Sequence, residues 1–318
     1  SSDADRDLVA LIYSGLLRPS DSGKLIPDLA ESYSISPDGL VYNFKLKKDL
    51  RWQDGEKISA DDIVFTVHKA VDPILKSPRR ANWDGVLINK ISDYEIQFIL
   101  KKPYSSFLTN TTMGIIPKHL WEKTASESFS LSSLNLEPIG SGPYKVVSIK
   151  KNAAGLVNAY ELVAFADFAL GTPRLEKINL NFYPNEKELL TSYSLGRIES
   201  VGGLSPESLK IFSQSRISRL PLPRVFGVFF NQNQARVFAN AEVRQALDLA
   251  TDKQALIDQA LAGFGEALEN ALPPGSLGYI ANTDQHHFDL VAGKKLLADH
   301  GWKPNNLGIL EKKLVLKS

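Results

Sequence analysis

A mixed α/β fold is predicted by three features of this sequence. Apolar and polar side chains alternate along several short segments, apolar residues recur at helical spacing along several others, and Gly or Pro punctuates the joints. The 318 residues, 43% apolar and 23% charged, are enough for one or two hydrophobic cores.

Residues 7–17, DLVALIYSGLL, read as an amphipathic helix closing at Gly15, or as a helix running into a short strand. In Ser36-Pro37-Asp38-Gly39, Pro stands where a turn fixes φ and Gly where it needs freedom; residues 40–46 then alternate as a strand. Asp54-Gly55 marks a second tight turn. Ser59 offers an N-cap hydroxyl and Asp62 a carboxylate to return the bond, opening a helix that runs to about Val71 and stops before Asp72-Pro73. Tyr94, Ile96, Phe98 and Leu100 alternate again, and these pieces make a small α+β unit.

Beyond a serine-rich loop at 126–133, the turn Gly140-Ser141-Gly142-Pro143 introduces a strand over 144–149, and Ile178, Leu180 and Phe182 give another. Helices are expected at about 186–195, stopped by Gly196, and at about 206–214, opened by Ser205 and Pro206. The apolar run 226–230 reads as a buried strand. Val243, Ala246, Leu247 and Ala250, then Ala255, Leu256 and Ala260, predict two helices joined by a cap at Thr251-Asp252. After Leu272-Pro273-Pro274-Gly275, a last helix spans about 289–299 and stops at His300-Gly301. Lys312 to Ser318 begins a strand with no turn after it, and Met113 is the only methionine. Both features lead us to expect a chain cut on its C-terminal side that starts downstream of its natural start, any export signal already removed.

Composition narrows function mainly by exclusion. A formal net charge of +1, with no Lys/Arg run longer than Lys47-Lys48 or Lys101-Lys102, supplies no field for nucleic acid or an anionic membrane. There is no cysteine, hence no disulfide, thiolate nucleophile or cysteine-ligated metal. No apolar run approaches a membrane span.

Catalytic motifs are equally sparse. Gly263-Phe264-Gly265 lacks the third glycine and preceding strand of a dinucleotide fingerprint and reads as a helix end. Gly140-Ser141-Gly142 lacks the spacing and following helix of a nucleophile elbow and reads as a turn. The histidines (His68, His119, His286, His287, His300) are not spaced to chelate on one helix face, and Asp54, Asp61 and Asp62 do not match a calcium loop. Trp52, Trp83, Trp121 and Trp302 stand near turns or helix ends, where Trp serves a core or, less often, the wall of a ligand cleft. No cofactor is expected.

Several strings taken together resemble the family 5 extracellular solute-binding proteins, the oligopeptide, dipeptide and nickel binders of ABC importers. They are Leu25-Ile-Pro-Asp-Leu-Ala-Glu-Ser-Tyr33 with Ser36-Pro-Asp-Gly-Leu40 and Tyr42-Asn-Phe-Lys-Leu46, then Trp52-Gln-Asp-Gly55, Ser59-Ala-Asp-Asp-Ile-Val-Phe65 and Ile116-Pro-Lys-His119. Ile139-Gly-Ser-Gly-Pro-Tyr144, Asn240-Ala-Glu-Val-Arg-Gln-Ala-Leu247 with Thr251-Asp252-Lys253, and Ala292-Gly-Lys-Lys-Leu-Leu-Ala-Asp-His-Gly-Trp302 complete the set. Their order and spacing cover nearly the whole chain. Ala166-Asp167-Phe168 departs from an Asn-Pro-x-Tyr-Trp-like string of the family, and Ile198-Glu199 from its Ile-Asp.

The resemblance implies a two-lobed periplasmic-binding-protein-like clamshell of type II with an inserted subdomain, its second lobe incomplete here. Residues 1–30 and 136–225 would form the core of lobe I, 31–135 the inserted α+β subdomain, and 226–318 the start of lobe II. A monomeric substrate-binding subunit of an ABC importer is implied, not an enzyme. It would capture short peptides by lobe closure and deliver them to a permease. Its implied location is the periplasm or the extracellular face of the membrane, where a residue upstream of this sequence could carry a lipid anchor. Positions matching the family's cleft are Tyr13, Ser14 and Gly15, then Val201, Gly202 and Gly203, then Phe229, Phe230 and Asn231. At Ser14 and Phe229 some oligopeptide binders carry a glutamate. Rival readings are the same fold holding a nickel chelate, haem or an oligosaccharide, a peptide-sensing receptor, and a hydrolase.

Overall fold

The computed structural model describes residues 3–20, 23–104, 106–212, 217, 225–268, 272, 279–280 and 287–312. They fall into two units, Ser1–Gly203 and Leu204–Ser318. The first opens with helix α1 (Asp3–Ile12). Leu8, Leu11 and Ile12 of this helix share an apolar cluster with Tyr144, Tyr160 and Leu162, so the amphipathic stripe is the buried face. Helical geometry ends at Ile12, short of Gly15, and the chain continues into a hairpin of β1 (Leu17–Pro19) and β2 (Leu25–Pro27). Of the two readings of 7–17, the helix running into a short strand is the one found.

Next come β3 (Ala30–Ile35), β4 (Val41–Leu46), α2 (Ala60–Val71), α3 (Arg80–Trp83), β5 (Leu87–Ser92) and β6 (Glu95–Ile99). The four strands form an antiparallel sheet in the order β3-β4-β6-β5. Alternation along β4 is realised as expected: Tyr42, Phe44 and Leu46 are buried while Asn43 and Lys45 are exposed. On the buried face the Phe98 ring lies 5.7 Å from Phe44, 5.5 Å from Trp83 and 5.6 Å from Phe107. These tilted and edge-on contacts suit the ring quadrupoles. Ile63, Val67 and Ala70 of α2 complete the core.

The start of α2 is fixed by the capping box read from sequence. Ser59 Oγ accepts from the Asp61 amide at 3.3 Å, and Asp62 accepts from the Ser59 amide at 2.9 Å. Asp62 also accepts from the Lys118 amide at 2.9 Å. This bond anchors the short helix α5 (Lys118–Trp121), which follows α4 (Phe107–Asn110). The serine-rich stretch is not an open loop: it forms 3-10 turns at Ser126–Leu131 and Ser133–Asn135, with Phe129 stacked on Trp121 at 4.1 Å.

A second sheet is the meander β7 (Tyr144–Lys151), β8 (Val157–Ala164) and β9 (Lys177–Asn181). Its central strand, β8, escapes the alternation test because Ala159 on one face and Tyr160 and Leu162 on the other are all buried. Helix α6 (Glu186–Ser194) is capped by Asn185, and Gly196 ends it with φ of 68°.

In the second unit, residues 208–212 form a 3-10 segment (Ser208–Phe212) where an α-helix over 206–214 is predicted. The Ser208 amide bonds back to the Ser205 carbonyl at 3.1 Å, an i to i+3 closure; residues 213 and 214 lie outside the described residues. Helices α7 (Ala241–Leu249), α8 (Lys253–Leu261) and α9 (Leu290–Asp299) occur where periodicity places them, α8 being capped by Asp252. Gly293 of α9 faces α7 so closely that a Cβ would stand 3.0 Å from the Ala246 carbonyl oxygen. A last hairpin pairs β10 (Lys303–Pro304) with β11 (Leu310–Glu311).

The expected buried strand at 226–230 is not formed. Phe226, Val228 and Phe229 are 86%, 81% and 94% exposed and carry no strand hydrogen bonding. An apolar run supplies side chains for a core, but a strand also needs a partner for its amides and carbonyls, and none among the described residues pairs with it. Residues 313–318 of the expected terminal strand, Pro273-Pro274-Gly275 and His286 lie outside the described residues.

Candidate functional site

Tyr13, Ser14 and Gly15 form the joint between α1 and β1, and backbone contacts hold it from several sides. Ser14 accepts from the Ile115 amide at 2.9 Å through its carbonyl, and Gly15 from the Leu29 amide at 3.1 Å. The Ser14 hydroxyl donates to the Ser141 carbonyl at 3.3 Å. Ser14 is 1% exposed, so its hydroxyl is turned into the protein. Gly15 is required by packing: a Cβ there would lie 2.8 Å from the Thr111 carbonyl oxygen. Tyr13 is half-buried, and burial pushes its phenol up to about 12, keeping it neutral across the physiological range.

The Gly140-Ser141-Gly142 turn explains itself at the same place. A Cβ on Gly140 would sit 2.0 Å from the Ile12 carbonyl oxygen and one on Gly142 2.6 Å from the Ile12 carbonyl carbon. The glycines let the turn approach the end of α1 so closely that the Gly142 amide donates to that oxygen at 2.7 Å. The turn read from sequence is therefore a docking point for the helix end, and the Ser141 carbonyl reaches Ser14 because of it.

Beneath the joint lies an ionic cluster that sequence inspection passed over. Asp28 is fully buried, with Arg18 Nε 3.4 Å from its carboxylate. Burial raises the Asp28 carboxyl above its ordinary 3.8, opposed by the Arg18 charge, the Ser14 hydroxyl and Lys47 in that order. The Arg18 guanidinium lies 5.2 Å from the centre of the Phe168 ring, and Lys47 donates to the Ala169 carbonyl at 2.9 Å. Two cations thus hold the segment where Ala166-Asp167-Phe168 departs from the family string. Asp28 stands in the string Leu25-Ile-Pro-Asp-Leu-Ala-Glu-Ser-Tyr33 that carries the resemblance, but its ionic role depends on burial, which spacing does not reveal.

The other two expected stretches fall one in each unit. Val201, Gly202 and Gly203 end the first unit on a loop; both glycines are exposed, with open space around them, and Gly203 has φ of 72°. In the second unit Phe229 is solvent-exposed, and the Phe230 ring lies 4.7 Å from Phe238. Asn231 accepts from the Asn233 and Gln234 amides at 3.2 and 3.1 Å, bending the chain toward the 3-10 turn Arg236–Ala239. Among the described residues no three His, Asp or Glu side chains are placed to hold a metal. His119 instead pairs with Asp54 at 2.8 Å, and Asp61 with Lys90 at 2.6 Å. Trp52, Trp83 and Trp121 are core residues, none more than 3% exposed.

Comparison with known proteins places this architecture. Residues 24–318 match the family model described as bacterial extracellular solute-binding proteins, family 5 Middle. The chain is 29% identical to the oligopeptide-binding protein AppA of Bacillus subtilis, over 98% of this chain and 58% of that protein. It resembles the crystal structure of the ABC transporter substrate-binding protein CtaP from Listeria monocytogenes at 29% identity and a TM-score of 0.76, covering 96% of this chain and 62% of that one. NikZ from Campylobacter jejuni, solved in complex with Ni(L-His), is 29% identical with a TM-score of 0.66 over 95% of this chain and 60% of that one. The chain thus spans about three fifths of the length of the relatives it matches. With the family model covering all but the first 23 residues, the chain belongs to family 5 of the bacterial extracellular solute-binding proteins.

Proposed function

We propose that this chain is the ligand-capturing part of an ABC importer, that its ligands are short peptides, and that it works as a binder without breaking bonds. The observation that carries this reading is the family match over residues 24–318, joined to a likeness to an oligopeptide-binding protein along 98% of the chain. At the joint, Ser14 and Gly15 are buried with their carbonyls taken by the Ile115 and Leu29 amides, so in this reading the half-buried, neutral Tyr13 is the member that would touch the peptide. In this reading the residues at 201–203 and 229–231 supply the remaining contacts, and peptide stabilises a closed arrangement of two lobes. The protein would act as a monomer outside the cytoplasmic membrane and hand its ligand to a permease.

Mass spectrometry of small molecules released from the denatured full-length protein tests this directly. A ladder of short peptides is the expected result. The likeness to NikZ favours one alternative, a metal-histidine chelate. Recovery of nickel with free histidine, and no peptide, would replace the peptide reading with that one.

A further inference from the structure

We propose that Gln53, in the turn it forms with Asp54-Gly55, is the positioning residue of the ligand-binding joint at residues 13–15; the proposal rests on the peptide-binding reading of that joint. Gln53 lies 41 residues from Ile12 and 91 from Tyr144, yet it bonds to both. Its backbone amide donates to the Gly140 carbonyl at 2.9 Å, and its side-chain oxygen accepts from the Gly140 amide at 3.0 Å. Its Nε2 donates to the Tyr144 carbonyl at 2.7 Å and, at 3.3 Å each, lies against the carbonyls of Ile12 and Gly142.

A carboxamide is the one side chain that can do this. It carries one acceptor for the Gly140 amide and two N–H donors for carbonyls that converge from α1, the glycine turn and β7. These contacts fix the last carbonyl of α1, the residue before Tyr13. They also fix the turn whose Ser141 carbonyl holds the Ser14 hydroxyl. Gln53 bonds to Ile12, Gly140, Gly142 and Tyr144, so it acts on residues 13–15 through these neighbours. Trp52 beside it is fully buried and roots the turn in the first core.

The chemistry predicts an unusual pH signature. In Gln53→Glu the acceptor for Gly140 is retained, but the second oxygen meets three carbonyl oxygens and can bond to them only when protonated. Carboxyl protonation is therefore favoured in the assembled joint, which recovers one of its two donors at low pH and loosens as pH rises through the carboxyl's raised value. Gln53→Met keeps the volume, loses every side-chain bond, and has no such pH dependence.

The test combines hydrogen exchange with binding on the full-length protein. In Q53M, amides in segments 9–17 and 138–146 should exchange roughly tenfold or more faster, while those of β4 and β6 stay within about twofold. Affinity for trialanine and for an equimolar pool of tri- to pentapeptides should fall by about tenfold or more in Q53M. Q53E should lose affinity at neutral pH and regain part of it on acidification. Unchanged exchange in both segments, or a uniform rise across the first unit, would overturn the proposal, the latter showing a general structural role only. If the wild-type protein binds neither peptide probe, the peptide reading fails, and the exchange pattern with its pH rescue in Q53E decides the role of Gln53 alone.

Discussion

Gly140→Ala puts a single methyl group where the structure has least room for one. Its Cβ would stand 2.0 Å from the Ile12 carbonyl oxygen and 2.8 Å from the carbonyl carbon, against an ordinary contact of at least 3.4 Å. Both atoms are backbone, so no rotamer change relieves the overlap, and the turn must retreat from α1 by roughly 1 Å or more. That retreat stretches the 2.7 Å bond from the Gly142 amide to Ile12 and the bonds made by Gln53. Overpacking of this kind costs about 1–3 kcal/mol. Two lost hydrogen bonds at about 1 kcal/mol each bring the total to roughly 3–5 kcal/mol. For a unit of this size the midpoint of thermal unfolding should fall by about 6–20 °C, read by calorimetry as a shift confined to the transition of the first unit. Gly202→Ala is the control: no heavy atom lies within 4 Å of its Cβ and its φ is not left-handed, so its midpoint should stay within about 2 °C of wild type. A G140A midpoint equally close to wild type would refute the steric reading of the turn.

Three further outcomes are expected. Ser59→Ala removes half of the α2 capping box and should destabilise the first unit by about 1 kcal/mol in urea titration, with Ser59→Asp recovering most of it. Asp28, whose carboxyl is raised by burial, favours the fold while protonated: its contribution is fully present below its ordinary 3.8 and is lost as pH rises through the raised folded value. Stability measured against pH should therefore decline from about 4 upward more steeply in wild type than in Asp28→Asn, and parallel curves would remove Asp28 as the cause. Glu242 accepts from Lys312 at 2.7 Å and from the Trp302 indole at 3.3 Å, which lowers its carboxyl to about 2. In an NMR titration Lys312→Ala should move it back toward the ordinary 4.5, and an unmoved value would show that the ammonium is not responsible.

How much of this was legible in the sequence depends on how local each cause is. The α2 cap, the stop at Gly196 and the α7–α8 junction were readable because a cap is decided within four residues. Strand β8 was not, because it is buried on both faces and loses the alternation that marks a half-exposed strand. The run 226–230 misled in the opposite way: its apolar side chains suggest a strand, but pairing is a property of two segments. In the candidate site, Tyr13, Ser14 and Gly15 came from resemblance. Gln53 bonds to Tyr144 across 91 residues in sequence and Ser14 to the Ser141 carbonyl across 127, and the Asp28–Arg18 pair is decided by burial; the motifs contain Gln53, Ser141 and Asp28 but do not show what they meet.

The residues that carry the resemblance also explain why family and ligand are not equally readable. The Gln53 side chain bonds to the backbone through both its oxygen and its nitrogen, and Gly140, Gly142 and Gly15 stand at points where two stretches of backbone touch. Asp62 caps one helix and anchors the next. Each of these positions is constrained by chain geometry, which is independent of whatever molecule is bound. Motifs made of such residues specify the frame strongly and the ligand weakly. Relatives equally similar to this chain can therefore bear names that speak of an oligopeptide in one case and of a nickel-histidine complex in another. The joint in the first unit is itself of this kind, since Ser14 and Gly15 are buried and their carbonyls are taken by the Ile115 and Leu29 amides.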